Sequence, residues 1–255
     1  MAFANLQGQS IFYTRHWPAT SERPALVLVH GAGGTHLHWP PSLRRLSNAT
    51  VLALDLPGHW RSPGTGRQTT AEYAEAVLAA IDHSGIQKAV IGGHSMGGAI
   101  ALNFALMHPE RTAGLILIGT GARLKVAPAI LDGLSADFTG TVDQIARWSY
   151  SAETPESLVQ LGAQRMREIA PETHRGDFIA CNEFDMTERL GEIASPAFVV
   201  CGAADRMTPE RHSRHLVEHL PRAELLIVPG AGHMVMIEQS AAVTEALKKF
   251  TGEIE

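Results

Sequence analysis

Cysteine is scarce, at two in 255 residues. Two thiols cannot build a disulfide framework, and neither sits at the short spacing of a metal or redox motif. No apolar run approaches the roughly 20 residues that cross a bilayer. The opening MAFANLQGQS lacks the basic start and apolar stretch of a secretory leader, so the expected compartment is the cytoplasm. A basic excess is missing too: 21 Lys and Arg against 26 Asp and Glu leave a net charge of −5. That argues against a nucleic-acid or anionic-membrane partner. Repeats, low-complexity tracts and interdomain linkers are also absent. What remains is an ordinary globular composition, 45% hydrophobic and 18% charged, long enough for one large domain.

The most informative stretch is KAVIGGHSMGGAIALNFALMH, residues 88–108. Ala89, Val90 and Ile91 begin it as a short apolar run, the pattern of a strand buried on both faces. Ala99 to Leu106 are good helix formers. Between them lies G-x-S-x-G with Ser95 at the turn, where strained backbone angles push a hydroxyl out of the sheet edge. Gly93 and Gly97 flank it because a Cβ at either place would collide across so sharp a turn. Helix amides aimed at the serine offer partial positive charge where an oxyanion could form.

Other apolar runs predict further strands at 10–17, 25–30, 49–56, 114–119, 196–202 and 223–228. A polar, proline-containing turn separates the first two. Helical spacing covers 70–83, with Tyr73, Val77, Leu78 and Ile81 on one side and Gly85 ending it. Helices are also expected over 37–46, from Met207-Thr208-Pro209 to Leu220, and over 238–250. Strands alternating with helices imply a mostly parallel sheet covered on both faces, with its ligand site at the carboxyl ends of the strands. Residues 121–195 break this rhythm, since a crossover needs only about a dozen residues. Helical pieces there are expected at 141–150, at 154–169 with Thr154 as N-cap, and at 171–184. His36 and His38 have no third ligand nearby, and His212, His215 and His219 lack a carboxylate or cysteine cluster. Both groups are read as structural or solvated rather than as metal sites.

Four more motifs accompany the serine turn: Val29-His30-Gly31-Ala32-Gly33-Gly34, Asp55-Leu56-Pro57-Gly58, Cys201-Gly202-Ala203-Ala204-Asp205 and Gly230-Ala231-Gly232-His233. Each is weak alone. In this order and spacing they resemble the α/β-hydrolase fold, in its serine-nucleophile, esterase-like branch, over about residues 9–250. The resemblance implies an α/β fold with a mostly parallel central sheet of about eight strands flanked by helices. It also implies a helical cap, 122–194, inserted after the sixth strand into a core made of 1–121 and 195–255.

A serine hydroxyl needs a base to take its proton, and that imidazole needs an acid to hold its tautomer. By the family order Ser…Asp…His, the candidates are Ser95, Asp205 and His233, Asp205 and His233 each following a strand end. His30, His59 and Asp55 precede the nucleophile and are read as structural; His94 adjoins it but should point elsewhere. Cys181 and Cys201 have no placed base. By similarity to the family, backbone amides of Met96 and Ala32 receive the oxyanion, with Gly33 the neighbouring possibility. Relatives usually carry glycine where this chain has Trp60. A positive φ there would strain tryptophan, and the competing expectation places its indole at the pocket rim. Phe138 and Trp148 are further pocket candidates, although most apolar residues of the insertion are expected to form its own small core.

The implied activity is carboxylester hydrolysis without a cofactor or metal, on a small-molecule ester, by a monomer or homodimer. The same residues also serve carbon–carbon bond hydrolases, enol-lactonases and perhydrolases, and a hydrolase pocket can become a small-molecule receptor, so fold alone does not choose the substrate.

Overall fold

Every residue of Ala25–Val29, Ala89–His94 and Thr112–Ile118 is buried, as the near-continuous apolar runs require of central strands. In the computed structural model, which describes residues 1–18 and 23–254, these strands lie in one eight-stranded sheet of order β1-β2-β4-β3-β5-β6-β7-β8. The strands are β1 (Ala2–Leu6), β2 (Gln9–His16), β3 (Ala25–Val29), β4 (Val51–Leu54), β5 (Ala89–His94), β6 (Thr112–Ile118), β7 (Ala197–Gly202) and β8 (Ala223–Val228). β1 pairs with β2, and β2 with β4, antiparallel; every later pairing is parallel.

Alternation along each strand feeds two separate cores. Val27, Ile91, Leu115, Leu117 and Val199 face one side, where α2 (Thr70–Ser84), α3 (Met96–Met107) and α8 (Glu210–His219) contribute Val77, Ile100 and Leu216. Leu26, Leu28, Val90, Ile116 and Val200 face the other, against α1 (Pro41–Arg44) and α10 (Ser240–Glu253). α2 begins where the Thr69 hydroxyl accepts the Glu72 amide and ends at Gly85 with φ 76°, the left-handed cap that glycine adopts without cost.

Between β6 and β7 lie α4 (Pro128–Ala136), α5 (Phe138–Ser149), α6 (Glu156–Arg167) and α7 (Pro171–Glu183). Ile130, Leu134, Val142, Ile145, Met166 and Phe178 form a small core of their own, with Phe138 packed on it. The insert is tied to the loop after β8 by Glu238, at the end of the short α9 (Val235–Glu238). Its carboxylate accepts the Ser151 amide at 2.7 Å, the Thr154 hydroxyl at 2.6 Å and the Gly232 amide at 2.8 Å.

The elements depart from the sequence reading in four places. β1 was not foreseen; it pairs with β2 through a two-residue turn, Gln7 and Gly8, both at positive φ (49° and 88°), the turn that suits a twisted hairpin. The helix expected over 37–46 is two short pieces, His36–His38 and α1, because Pro40 and Pro41 interrupt the amide ladder. α4 was missed. Thr154 does not cap α6, whose N-cap is Pro155; its hydroxyl is engaged by Glu238 instead. The turn expected before β3 falls largely on residues 19–22, outside the described residues.

The tightness of the strand-to-helix turn gives a stability test. A Cβ on Gly93 would lie 2.0 Å from the Gly97 carbonyl oxygen, whereas one on Gly191 meets nothing within 4 Å. Urea denaturation should show Gly93→Ala losing about 3 kcal/mol or more, with Gly191→Ala within about 0.5 kcal/mol of wild type. Equal effects would contradict the packing described.

Candidate active site

Because β3 to β8 run parallel, the loops leaving their carboxyl ends gather on one edge of the sheet. The loop after β5 is only Ser95, at φ 54° and ψ −117°. Its amide donates to Ile118 O at 2.9 Å, and its carbonyl accepts Gly98 N at 2.9 Å and the Thr120 hydroxyl at 2.8 Å. The loop after β3 packs directly against it: a Cβ on Gly31 would lie 3.1 Å from the Ser95 Cβ. Among the described residues the amides of Ala32 and Met96 have no hydrogen-bond partner, while the Gly33 amide is already bound to Asp177. That removes Gly33 from the two oxyanion donors considered for this loop.

Asp205, in the loop after β7, and His233, in the loop after β8, meet. His233 Nδ1 donates to Asp205 Oδ2 at 2.9 Å, and both residues are buried. Three further donors converge on this carboxylate: the Met207 and Thr208 amides on Oδ1 at 2.8 and 2.9 Å, and the Thr208 hydroxyl on Oδ2 at 2.8 Å. Burial alone would raise the Asp205 pKa. The opposing charge and hydrogen bond of His233, with the bonds from Thr208, outweigh it and hold the pKa at about 2.

Ser95 and His233 both line a cavity of about 940 Å³ between the sheet edge and the insert. Ala122, Leu124, Val126, Ile130, Ile145 and Phe178 make much of its wall apolar. Trp148 lines it too. Two pocket assignments need correction, since neither Trp60 nor Phe138 is among its lining residues. Phe138 packs on the insert's own core and edge-on to His174 at 5.3 Å. Trp60 takes φ 37°, the strained geometry considered for it. The chain turns inward at the buried His59, which sends the Trp60 indole outward onto His36, with ring centroids 5.2 Å apart.

With this geometry in hand, comparison with known proteins is decisive at the level of family. A profile of the alpha/beta hydrolase fold matches residues 24–240. The chain belongs to the α/β-hydrolase fold family. Within that fold it is 34% identical to the dihydrolipoyllysine-residue acetyltransferase component of the acetoin cleaving system of Pseudomonas putida, over 88% of this chain but only 62% of that protein. It is 29% identical to the 2-hydroxy-6-oxo-6-phenylhexa-2,4-dienoate hydrolase of Burkholderia cepacia, covering 89% of this chain and 87% of that one. A solved thermophilic esterase superposes with a TM-score of 0.87 at 29% identity, covering 99% and 97% of the two chains.

Several polar residues of this α/β-hydrolase fold hold its loops. Asp55 Oδ1 accepts both the amide and Nδ1 of His36, at 2.7 and 2.9 Å, the loop-organising part expected of it. His30 Nε2 accepts the Leu56 amide at 3.0 Å and Nδ1 faces Gly31 O at 2.8 Å, so the ring is neutral. Burial, aided by the charge of His59, pushes its pKa well down. His94 does point away from the serine: its Nε2 donates to the backbone carbonyl of His233 at 3.0 Å, steadying that loop. Sequence reasoning missed that link, and it missed Asp177 entirely. Both cysteines are free; burial pushes Cys201 up to about 11 and Cys181 higher, which leaves protonated thiols. Of the α8 histidines, His212 and His215 face the cavity. His215, Glu218 and His219 bring ligand atoms within 4.8 Å of one another on the protein surface, a grouping able to hold a metal ion that the sequence reading had set aside.

Two measurements follow from this geometry. The folded Asp205 pKa, about 2 against an ordinary 3.8, means that the fold favours the carboxylate. Its contribution, of order 2 kcal/mol, is present above the unfolded value and is lost as pH falls from about 4 to about 2. The melting-temperature gap between wild type and Asp205→Asn should therefore be full above pH 5 and shrink below pH 4; a gap constant from pH 6 to pH 2.5 would refute this. Trp60→Gly should leave the Michaelis constants for small and bulky substrates alike unchanged, because the indole is not part of the cavity wall. A change confined to bulky substrates would return Trp60 to the rim.

Proposed function

We propose that this protein is a serine hydrolase, specifically a carboxylesterase that cleaves small or medium carboxylic esters through an acyl-Ser95 intermediate. The observation that carries the reading is the Asp205–His233 hydrogen bond opening onto the same cavity as a strained, outward-turned Ser95. Asp205 fixes the proton on Nδ1 of His233, leaving Nε2 to take the Ser95 proton as Oγ attacks the ester carbonyl. The amides of Ala32 and Met96 receive the developing oxyanion. Collapse breaks the bond to the leaving alcohol, which departs with the proton held by His233. Water, deprotonated by the same imidazole, then releases the acid. No cofactor enters any step. The helical insert acts as a cap whose inner wall, including Trp148, shapes the acyl pocket.

The charge of that wall bears on substrate class. Arg123, Lys125, Arg206 and Arg211 line the cavity and, among the described residues, no Asp or Glu does, Arg123 alone being paired with a carboxylate, that of Asp185 at 3.2 Å, in a chain of net charge −5. Such a one-signed lining raises the local concentration of anions, so the favoured ester carries an anionic group on its acyl chain. A second reading, hydrolysis of a carbon–carbon bond next to a ketone, is favoured by the likeness to the Burkholderia dienoate hydrolase.

Kinetics on matched substrates separate these outcomes. Ser95→Ala should cut ester turnover by on the order of 10⁴ or more while the fold is kept. p-Nitrophenyl esters ending in a carboxylate should exceed methyl-ended isosteres in kcat/KM by about tenfold, a margin that shrinks at high salt. Preference for the neutral ester would remove the anionic class. Ser95-dependent turnover of a dienone with no ester turnover would install the second reading.

A further inference from the structure

A buried carboxylate is costly unless its oxygens are fully engaged, so the partners of the wholly buried Asp177 are informative. It sits on α7 of the insert, yet everything it binds lies outside the insert, on the loops after β3 and β4 and on α2. Oδ2 accepts the Gly33 amide and His59 Nε2, each at 2.8 Å, and Oδ1 accepts the Tyr73 hydroxyl at 2.5 Å. His59 Nδ1 faces the Pro57 carbonyl at 3.0 Å, an oxygen that can only accept. Both ring nitrogens therefore donate, and the imidazole is a buried cation paired with Asp177. Burial opposes that charge, but the carboxylate outweighs it and raises the His59 pKa above its ordinary value. Neither Asp177 nor His59 lines the Ser95 cavity, so neither meets substrate.

The significance lies in Gly33. It belongs to the loop whose Gly31 abuts Ser95, and it takes φ 62°. A Cβ there would lie 1.9 Å from the ring of His174, three residues before Asp177 on the same helix. α7 thus grips Gly33 twice, by the His174 ring against its Cα and by the carboxylate on its amide. The Gly34 amide turns back onto Gly31 O at 3.0 Å. With those two amides committed, the Ala32 amide is still without a partner among the described residues, one peptide plane away from the plane that Asp177 fixes.

We propose that Asp177 is a positioning residue for oxyanion stabilisation: it holds the Gly31–Gly34 turn so that the Ala32 N–H is aimed at the substrate oxygen on Ser95. Docking of the insert and completion of the oxyanion site are then one event. The catalytic half of this rests on the hydrolase reading above.

The test compares Tyr73→Phe, Asp177→Asn and Asp177→Leu by ester kinetics, melting temperature and amide exchange at Gly33. Tyr73→Phe weakens the insert's attachment but spares the Gly33 bond, so kcat should stay within about threefold. Asn keeps one oxygen to share between Gly33 and His59, for an intermediate loss of about tenfold. Leu removes the acceptor, so kcat should fall by about 10² to 10³, the cost of one oxyanion donor, with KM changed less than threefold and Gly33 exchange accelerated. Losses that track melting temperature regardless of which bond is cut, or a KM effect in place of kcat, overturn the proposal. Should Asp177→Leu not fold, Asp177→Asn against Tyr73→Phe decides, and a larger kcat loss in Tyr73→Phe overturns it. Should the wild type show no Ser95-dependent turnover, the hydrolase reading falls and the catalytic half goes with it. Gly33 exchange still judges the tie by itself, and an unprotected Gly33 amide in wild type refutes it.

Discussion

Ser95 is held at φ 54° and ψ −117°, a conformation that costs a non-glycine residue about 1–3 kcal/mol and persists only where its surroundings insist on it. Those surroundings are backbone groups of β6 and α3, which bind both its amide and its carbonyl, and two glycines that let strand and helix approach within contact. The turn is therefore rigid before any ligand arrives. Its direction fixes where everything else must be, because the cavity, the Gly31–Gly34 loop and His233 are all placed relative to that one side chain.

The loops around it have no sheet ladder to satisfy their buried polar groups, which must find partners elsewhere. Backbone carbonyls supply many of them, and four carboxylates supply others while joining separate segments of the chain. Asp205 joins the loop after β7 to that after β8, and Asp55 joins the loop after β4 to His36. Glu238 and Asp177 join the helical insert to opposite flanks of the site, one beside His233 and one beneath the Gly33 turn. The insert is thereby anchored at two points that both bear on the candidate chemistry.

Much of this was legible in the sequence, for physical reasons. β3, β5, β6 and β7 read as strands because burial on both faces demands unbroken apolar runs, and the Ser95 turn read as a turn because only glycine fits at 93 and 97. Asp205 and His233 were placed on one edge because parallel strands bring their carboxyl ends together. What stayed hidden depends on contacts distant in sequence. Asp177 lies 144 residues from Gly33, and its only local signal is a carboxylate on the helix face shared with His174, Phe178 and Cys181. Thr154 read as a helix cap because nothing local announces Glu238. Trp60 and Phe138 read as pocket walls because an aromatic's side of a loop or helix is set by its neighbours, His36 in one case and the insert's core in the other.

The central claim is that Ser95, served by His233 and Asp205, forms the covalent bond to substrate. Peptide mapping by mass spectrometry after brief treatment of the native protein with a fluorophosphonate addresses it directly. The account predicts a single phosphonyl adduct on the peptide carrying Ser95, formed rapidly in wild type, much more slowly in His233→Ala, and absent from Ser95→Ala. A stoichiometric adduct on any other residue, or labelling of Ser95 at an undiminished rate in His233→Ala, would contradict it.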